Sequence, residues 1–263
     1  MHAPGTDTRS HAAHRRPHAL LAGGGTGGHV MPALAVGEEL RRRGWRVTFV
    51  GSGRELERRL VEARGMPYTA LAARPMVGRG ARDRAAAAWT LLVSSLGARR
   101  LVRRLGADLV VGTGGYASAP AVLGARLAGR PALLVEPNAR AGVANRFLSR
   151  FAAGAALGFD SARRDLRCPS WTTGVPVRPE FAAVPAELPP APPLRLLVLG
   201  GSQGARQLNE LVPAAVRGLA GEVAVVHQAG ERHLEATRAA YAGDPRATVV
   251  AFVDDVAGAM AGA

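Results

Sequence analysis

One device, used three times, constrains the fold of this chain more than any other feature. A short apolar run ends in clustered glycines that lead directly into a segment of helical spacing. The clusters are Gly23-Gly24-Gly25-Thr26-Gly27-Gly28-His29, Gly112-Thr113-Gly114-Gly115-Tyr116 and Gly200-Gly201-Ser202-Gln203-Gly204-Ala205. Glycine permits positive φ and close approach of a ligand to the backbone, while the helix that follows offers unpaired N–H groups and the positive end of its dipole. Any one such turn is as readily explained by tight packing as by binding. Three in one chain point to phosphate or diphosphate recognition. The chain has no Lys, so the Gly-Lys-Ser/Thr of a P-loop ATPase is excluded. The first loop contains Gly-x-Gly-x-x-Gly phases, but Gly51-Ser52-Gly53 stands where a dinucleotide enzyme places its ribose-binding acid. A nicotinamide enzyme is therefore disfavoured.

Around these loops, short apolar runs alternate with longer segments of period 3.6. His18 to Ala22 reads as a strand, and Met31 to Arg43 as a helix with Pro32 in its first turn. Trp45 to Val50 reads as a strand, the segment with Leu56, Leu60 and Ala63 in register as a helix, and Tyr68 to Leu71 as a strand. After a basic stretch, Ala72 to Arg84, come a long helix ending at Leu105, strand Asp108 to Val111, helix Ala119 to Ala128 and strand Pro131 to Val135. This alternation predicts an α/β fold with a doubly wound parallel sheet. Between Gly174 and Pro193 the pattern gives way to a proline-rich stretch, read as a linker. It then restarts with strand Leu194 to Leu199, helix Leu208 to Leu219, strand Val223 to His227, helix Glu231 to Tyr241, strand Thr248 to Val253 and helix Asp254 to Ala261. The expected organisation is a flexible basic extension over 1–17, a Rossmann-like lobe over 18–173, the linker over 174–193 and a second Rossmann-like lobe over 194–263. Only 70 residues follow Pro193, fewer than the roughly 100–150 of a typical domain. The second lobe is expected to be incomplete.

Charge narrows the partners. All 34 basic residues are Arg, set against 20 acidic ones for a net +14, so an anionic partner is expected: nucleic acid, a phosphate-bearing small molecule or an acidic membrane surface. Sparse aromatics, with no basic cluster bearing stacking rings, argue against nucleic acid. Cys168 is the single cysteine, which excludes an intramolecular disulfide and fits a reducing compartment. No apolar h-region follows the His- and Arg-rich start, so a secretory signal is not expected. The uncharged run Ala85 to Ala98 is 14 residues, short of the roughly 18 needed to span a bilayer. The chain is expected to be soluble or to lie on a membrane.

Five ordered motifs then carry a specific resemblance: Gly24 to Ala35, Gly114-Gly115-Tyr116-Ala117-Ser118-Ala119-Pro120, Glu136-Pro137-Asn138-Ala139-Arg140-Ala141-Gly142, Thr173-Gly174-Val175-Pro176-Val177-Arg178, and Gly200 to Ala205. Together they resemble the MurG family, peripheral membrane enzymes that add N-acetylglucosamine (GlcNAc) to lipid I to make lipid II in peptidoglycan synthesis. The resemblance spans His18 to Ala263 and implies a GT-B fold, two Rossmann-like lobes facing across a cleft. It also implies inverting transfer, in which the C4 hydroxyl of the muramoyl sugar attacks the anomeric carbon of UDP-GlcNAc and UDP leaves.

Such a reaction needs a base for the hydroxyl proton and positive potential for the departing diphosphate. His29 is the expected base, placed where a helix N-terminus disfavours imidazolium. The positions matching the donor site are Thr26, Gly27, Gly28, Asn138, Arg178, Ser202 and, at the end of the last strand, Val253; the second loop, Gly114, Gly115 and Tyr116, resembles the acceptor diphosphate site. Val135-Glu136-Pro137-Asn138 stands where the family has His-Glu-Gln-Asn, which keeps the Glu and the Asn but not the His or the Gln. No Asp-x-Asp occurs, and no metal or cofactor is expected. The stretch Met76 to Arg104 interleaves Trp89, Leu91, Leu92, Val93 and Leu96 with Arg79, Arg82, Arg84, Arg99, Arg100, Arg103 and Arg104, which suits docking on the anionic cytoplasmic leaflet that carries undecaprenyl-linked lipid I. An ordinary amphipathic helix facing the sheet is the competing reading. Two further functional readings stand beside this one: another GT-B UDP-sugar transferase, or an inactive sugar-phosphate-binding fragment.

Overall fold

The structure is a computed structural model that describes residues 15–24, 27–71, 81–115, 117–184, 193–201 and 204–263, with only the backbone at 81–85 and 183. Residues 185–192 of the proline-rich stretch lie outside the described residues, as do Thr26, Tyr116 and Ser202. The chain divides into two compact units between Val177 and Arg178.

In the first unit, seven strands are described: β1 (His18–Ala22), β2 (Arg46–Gly51), β3 (Tyr68–Ala70), β4 (Leu109–Gly112), β5 (Ala132–Glu136), β6 (Gly154–Leu157) and β7 (Ser170–Thr172). All pair in parallel, in the order β3-β2-β1-β4-β5-β6-β7. The helices are α1 (Gly27–Arg42), α2 (Glu55–Glu62), α3 (Ala81–Leu105), α4 (Ser118–Leu127) and α5 (Val143–Leu148). Every residue of β1 is buried, as a central strand covered on both faces requires. Its side chains alternate between two cores: Leu20 and Ala22 pack with Leu101, Val102, Val122 and Leu148 from α3, α4 and α5, while Leu21 packs with Val30, Leu34 and Val61 from α1 and α2.

Two differences from the sequence reading bear on the site. Helix α1 starts at Gly27, so Pro32 sits in its second turn and not in the first, and Gly27, Gly28 and His29 are themselves helical. The elements α5, β6 and β7, together with a 3-10 turn over Asp160–Asp165, extend the sheet beyond the five strands expected. Gly154-Ala155-Ala156-Leu157 has no β-branched residue and so gives little strand signal.

The second unit contains β8 (Leu194–Leu199), α6 (Arg206–Arg217), β9 (Val223–Gln228), α7 (Leu234–Ala240), β10 (Ala247–Val250) and α8 (Val256–Ala261). Its strands form a parallel sheet in the order β10-β9-β8 around a core of Val198, Val216, Val223, Val225, Tyr241 and Val249. Strand β10 ends at Val250, so Val253 lies in the segment leading to α8 and not in the strand. The helix expected over Glu231 to Tyr241 opens as a 3-10 turn, Glu231–His233, before α7.

Candidate active site

Strands β1 and β4 are neighbours, and the chain leaves β1 towards β2 on one side and β4 towards β5 on the other. This is the point where the strand order reverses, and ligands of open α/β sheets gather at the carboxyl ends of the strands there. The first two glycine loops leave from those ends. They are in direct contact: Gly115, at φ +76°, has no room for a Cβ because the carbonyl of Gly24 occupies that space. Helices α1 and α4 start immediately after these loops, so two sets of helix-terminal N–H groups lie beside each other.

His29 lies in the first turn of α1, half-buried. Its Nδ1 is 3.0 Å from the carbonyl oxygen of Thr113, the residue that follows β4. A carbonyl only accepts, so Nδ1 carries the proton and the neutral ring keeps its lone pair on Nε2. Thr113 is fully buried, and its hydroxyl donates to the carbonyl of His29 at 2.7 Å. The ring lies against Gly114, at φ +94°, where a Cβ would come within 2.7 Å of Nδ1. Ser118 ties the two loops from beneath, its hydroxyl lying 2.7 Å from the carbonyl of Ala22 and 2.6 Å from that of Gly114. Of the expected residues, Gly28, His29, Gly114 and Gly115 are thus brought together, and Gly27 opens α1 beside them.

Two buried carboxylates support this end of the sheet. Glu57 accepts from the backbone N–H and the hydroxyl of Ser52, each at 2.7 Å, and a Cβ on Gly24 would lie 2.8 Å from its Oε1. Glu136, at the end of β5, accepts on Oε1 from the backbone N–H of Asn138 at 3.0 Å and from its Nδ2 at 2.8 Å. On Oε2 it accepts from the N–H of Gly142 at 2.9 Å and from Nδ2 of Asn145 at 3.0 Å. Asn138 is exposed, and with its amide nitrogen held by Glu136 its Oδ1 is the acceptor left to a ligand. Thr113 and Ser118 escape sequence reasoning because their partners His29 and Ala22 are distant in the chain, and Glu57 and Asn145 because their partners lie on neighbouring elements. Glu136 is two residues from Asn138 at a strand end, a spacing that puts both on one side.

The third loop belongs to the second unit. Gly204, at φ +74°, packs against the carbonyl of Ala229, and buried Gln228 donates from Nε2 to the carbonyl of Gly201 at 2.9 Å. The loop is thereby fastened to the carboxyl end of β9, ahead of the N-terminus of α6. Arg178 pairs with Glu180 at 3.0 Å and lies over the ring of Phe181 at 5.1 Å. Val253 is partly exposed.

The first unit also presents apolar surface outward. On α3, Trp89, Leu92, Val93 and Leu96 are exposed, at the i, i+3, i+4, i+7 spacing of one helical face, while Ser95, Ala98, Leu101 and Val102 are buried on the other. Helix α3 packs on α4 and α4 on α5. Beside α5 is a cavity of about 500 Å³ lined by Val143, Phe147, Arg146, Arg150, Arg164 and Arg167, among others. Its one carboxylate, Asp165, is already paired with Arg140 at 3.0 Å.

Comparison with known proteins agrees with this geometry. The glycosyltransferase family 28 N-terminal domain matches residues 19–157, and the family's C-terminal domain matches residues 195–263. The chain is 43% identical over 248 residues to the UDP-N-acetylglucosamine–N-acetylmuramyl-(pentapeptide) pyrophosphoryl-undecaprenol N-acetylglucosamine transferase of Acidithiobacillus ferrooxidans, covering 92% of this chain and 68% of the relative. It is 44% identical over 250 residues to the enzyme of that name from Halorhodospira halophila, with the same coverage. The crystal structure of Acinetobacter baumannii MurG superposes with a TM-score of 0.72 at 33% identity, covering 92% of this chain and 68% of that one. A calicheamicin glycosyltransferase, at 18% identity, 91% and 71% coverage and a TM-score of 0.54, shares the fold alone. The fold is GT-B, and the chain belongs to the MurG group of glycosyltransferase family 28.

Proposed function

We propose that this chain transfers GlcNAc from UDP-GlcNAc to the C4 hydroxyl of the N-acetylmuramoyl sugar of lipid I, with inversion, forming lipid II. The observation that carries the reading is the pairing of the first two glycine loops around His29, in a chain 43% identical to a relative bearing that activity in its name. In the reaction the C4 oxygen bonds to the anomeric carbon as the bond from that carbon to the diphosphate oxygen breaks. The hydroxyl proton passes to Nε2 of His29, and the electron pair of the broken bond leaves with UDP. The N–H groups at the starts of α1 and α4 supply fixed positive potential to phosphate groups.

The residue assignments follow the family motifs. Thr26, Gly27, Gly28, Asn138, Arg178, Ser202 and Val253 take the donor, with Asn138 offering Oδ1 to a hydroxyl or amide N–H. Gly114, Gly115 and Tyr116 take the acceptor diphosphate. The chain is further proposed to work on the anionic cytoplasmic face of the cell membrane. The exposed stripe of α3 and the arginines beside α5 support that placement, and no described helix is long and apolar enough to cross a bilayer.

The test is transfer of radiolabelled GlcNAc from UDP to a short-chain lipid I analogue. It is run on this chain and on the chain joined to the remaining third of the Acidithiobacillus relative. Transfer by either, abolished by His29→Ala with the circular dichroism spectrum unchanged, is the expected result. Transfer by neither, or near-normal transfer by the His29→Ala protein, overturns the proposal.

A further inference from the structure

The two-point contact between Thr113 and His29 joins the strand that bears the second loop to the helix that begins in the first. The side-chain hydroxyl of Thr113 donates to the main-chain carbonyl of His29 at 2.7 Å, and the main-chain carbonyl of Thr113 receives the Nδ1 proton of the ring at 3.0 Å. The main-chain N–H of Thr113 also donates to the carbonyl of Ala22, at the end of β1, at 2.9 Å. Space for the hydroxyl exists only because residue 23 is glycine: a Cβ there would collide with Oγ1. The hydroxyl is buried, so its proton has no water to fall back on.

We infer that Thr113 is a positioning residue that locks His29 in the Nδ1–H tautomer and fixes Nε2 as the proton-accepting atom of the ring. A shift of the first turn of α1 relative to β4 would carry the ring away from the Thr113 carbonyl, and the hydroxyl bond opposes that shift. With the proton held on Nδ1, the C4 hydroxyl proton has one place to go, and the imidazolium formed at Nε2 keeps its bond to the carbonyl. Free imidazole in histidine favours the opposite, Nε2–H, form, so the locked tautomer is a signature of the clamp and not of histidine chemistry in general. The catalytic consequence rests on the transferase reading above; the tautomer itself does not.

The experiment reads the tautomer directly. Long-range ¹H–¹⁵N spectra of the labelled full chain, without substrate and at about pH 8, above the usual imidazole range, report which ring nitrogen of His29 is protonated. The expected result is Nδ1–H in the unsubstituted chain and in Thr113→Ser, and a mixed, averaged pattern in Thr113→Val. Thr113→Ala removes the same hydroxyl and serves if valine prevents folding. In transfer assays the hydroxyl-less variant should lose about tenfold in kcat, the equivalent of one buried hydrogen bond, with KM for UDP-GlcNAc nearly unchanged, and Thr113→Ser should restore the rate. An Nε2–H or averaged ring in the unsubstituted chain overturns the inference, as does a valine or alanine variant with the spectrum of the parent. Absence of transfer alongside an Nδ1–H ring overturns the transferase reading and leaves the clamp supported.

Discussion

Glu136 shows how far a single side chain can organise a loop. Its buried carboxylate accepts four N–H groups: two from Asn138, one from Gly142 and one from Asn145. Glu136→Gln keeps the shape but turns an NH₂ group towards two of those N–H donors. The expected cost is about 3 kcal/mol, as for a buried polar group facing the wrong partner. It should appear as a lower urea midpoint at unchanged slope, and a loss below about 1 kcal/mol would remove Glu136 from this role. At this scale the motifs named residues that offer backbone or side-chain atoms to ligands, such as Asn138 and His29. They were silent on the residues that aim them. Glu136 and Thr113 lay inside quoted motifs, but Thr113 acts through a partner 84 positions away, on an element whose adjacency only the sheet order reveals, and Asn145 through one nine positions back.

Among elements, α3 carries two apolar faces where a surface helix needs one. Ser95, Ala98, Leu101 and Val102 are buried beneath the sheet-covering layer, while Trp89, at 68% exposure, stands with Leu92, Val93 and Leu96 in solvent. Leu127 at the end of α4 and Val143 on α5 continue exposed apolar surface in the same helical layer. Membrane docking through this layer predicts binding to vesicles containing anionic phospholipid, weakened by salt. Trp89→Glu with Leu92→Glu should abolish co-sedimentation. Arg146→Gln with Arg150→Gln should weaken it by roughly tenfold or more, at about 1 kcal/mol per arginine near the surface. Equal binding to neutral and anionic vesicles would refute the electrostatic part. The amphipathic, arginine-flanked character of this stretch was legible from spacing, but which face stays outward was not, because both have helical period. Residues 72–80, including Met76 and Arg79, lie outside the described residues, as do the side chains of Arg82 and Arg84. The strands that spacing missed, β6 and β7, are the short outer ones. They are three or four residues long and built from Gly, Ala, Leu, Ser, Trp and Thr, too brief for alternation to register.

Across the whole molecule, each unit buries one histidine among the described residues, and burial disfavours its charged form. His18, at the start of β1, donates from Nδ1 to the carbonyl of Leu105 at 3.0 Å and accepts on Nε2 from the hydroxyl of Thr48 at 2.9 Å. His227, on β9, donates from Nε2 to Oδ1 of Asn209 at 3.0 Å and accepts on Nδ1 from the hydroxyl of Tyr241 at 2.9 Å. The direction at Asn209 is set by its own Nδ2, which donates to the carbonyl of Ala229 at 2.9 Å. Burial pushes both imidazoles below their ordinary value of 6.5. For His18 the Leu105 carbonyl and Asp108 oppose that shift, while Arg46 and Arg15 add to it. A group depressed in the folded state takes up a proton more readily when unfolded, so the unfolded chain binds more protons as the pH falls through 6.5. Stability contributed by the two neutral rings is therefore full above that pH and declines below it, until the folded rings themselves protonate. Denaturant midpoints taken between about pH 7.5 and pH 5 should fall steadily with acid. His18→Gln and His227→Gln, each with one donor and one acceptor but no titration, should start less stable and show a shallower decline. The two effects should add, because the residues sit in separate units and share no partner. A double variant with the same pH slope as the parent would show that groups other than these histidines set the acid limit of the fold.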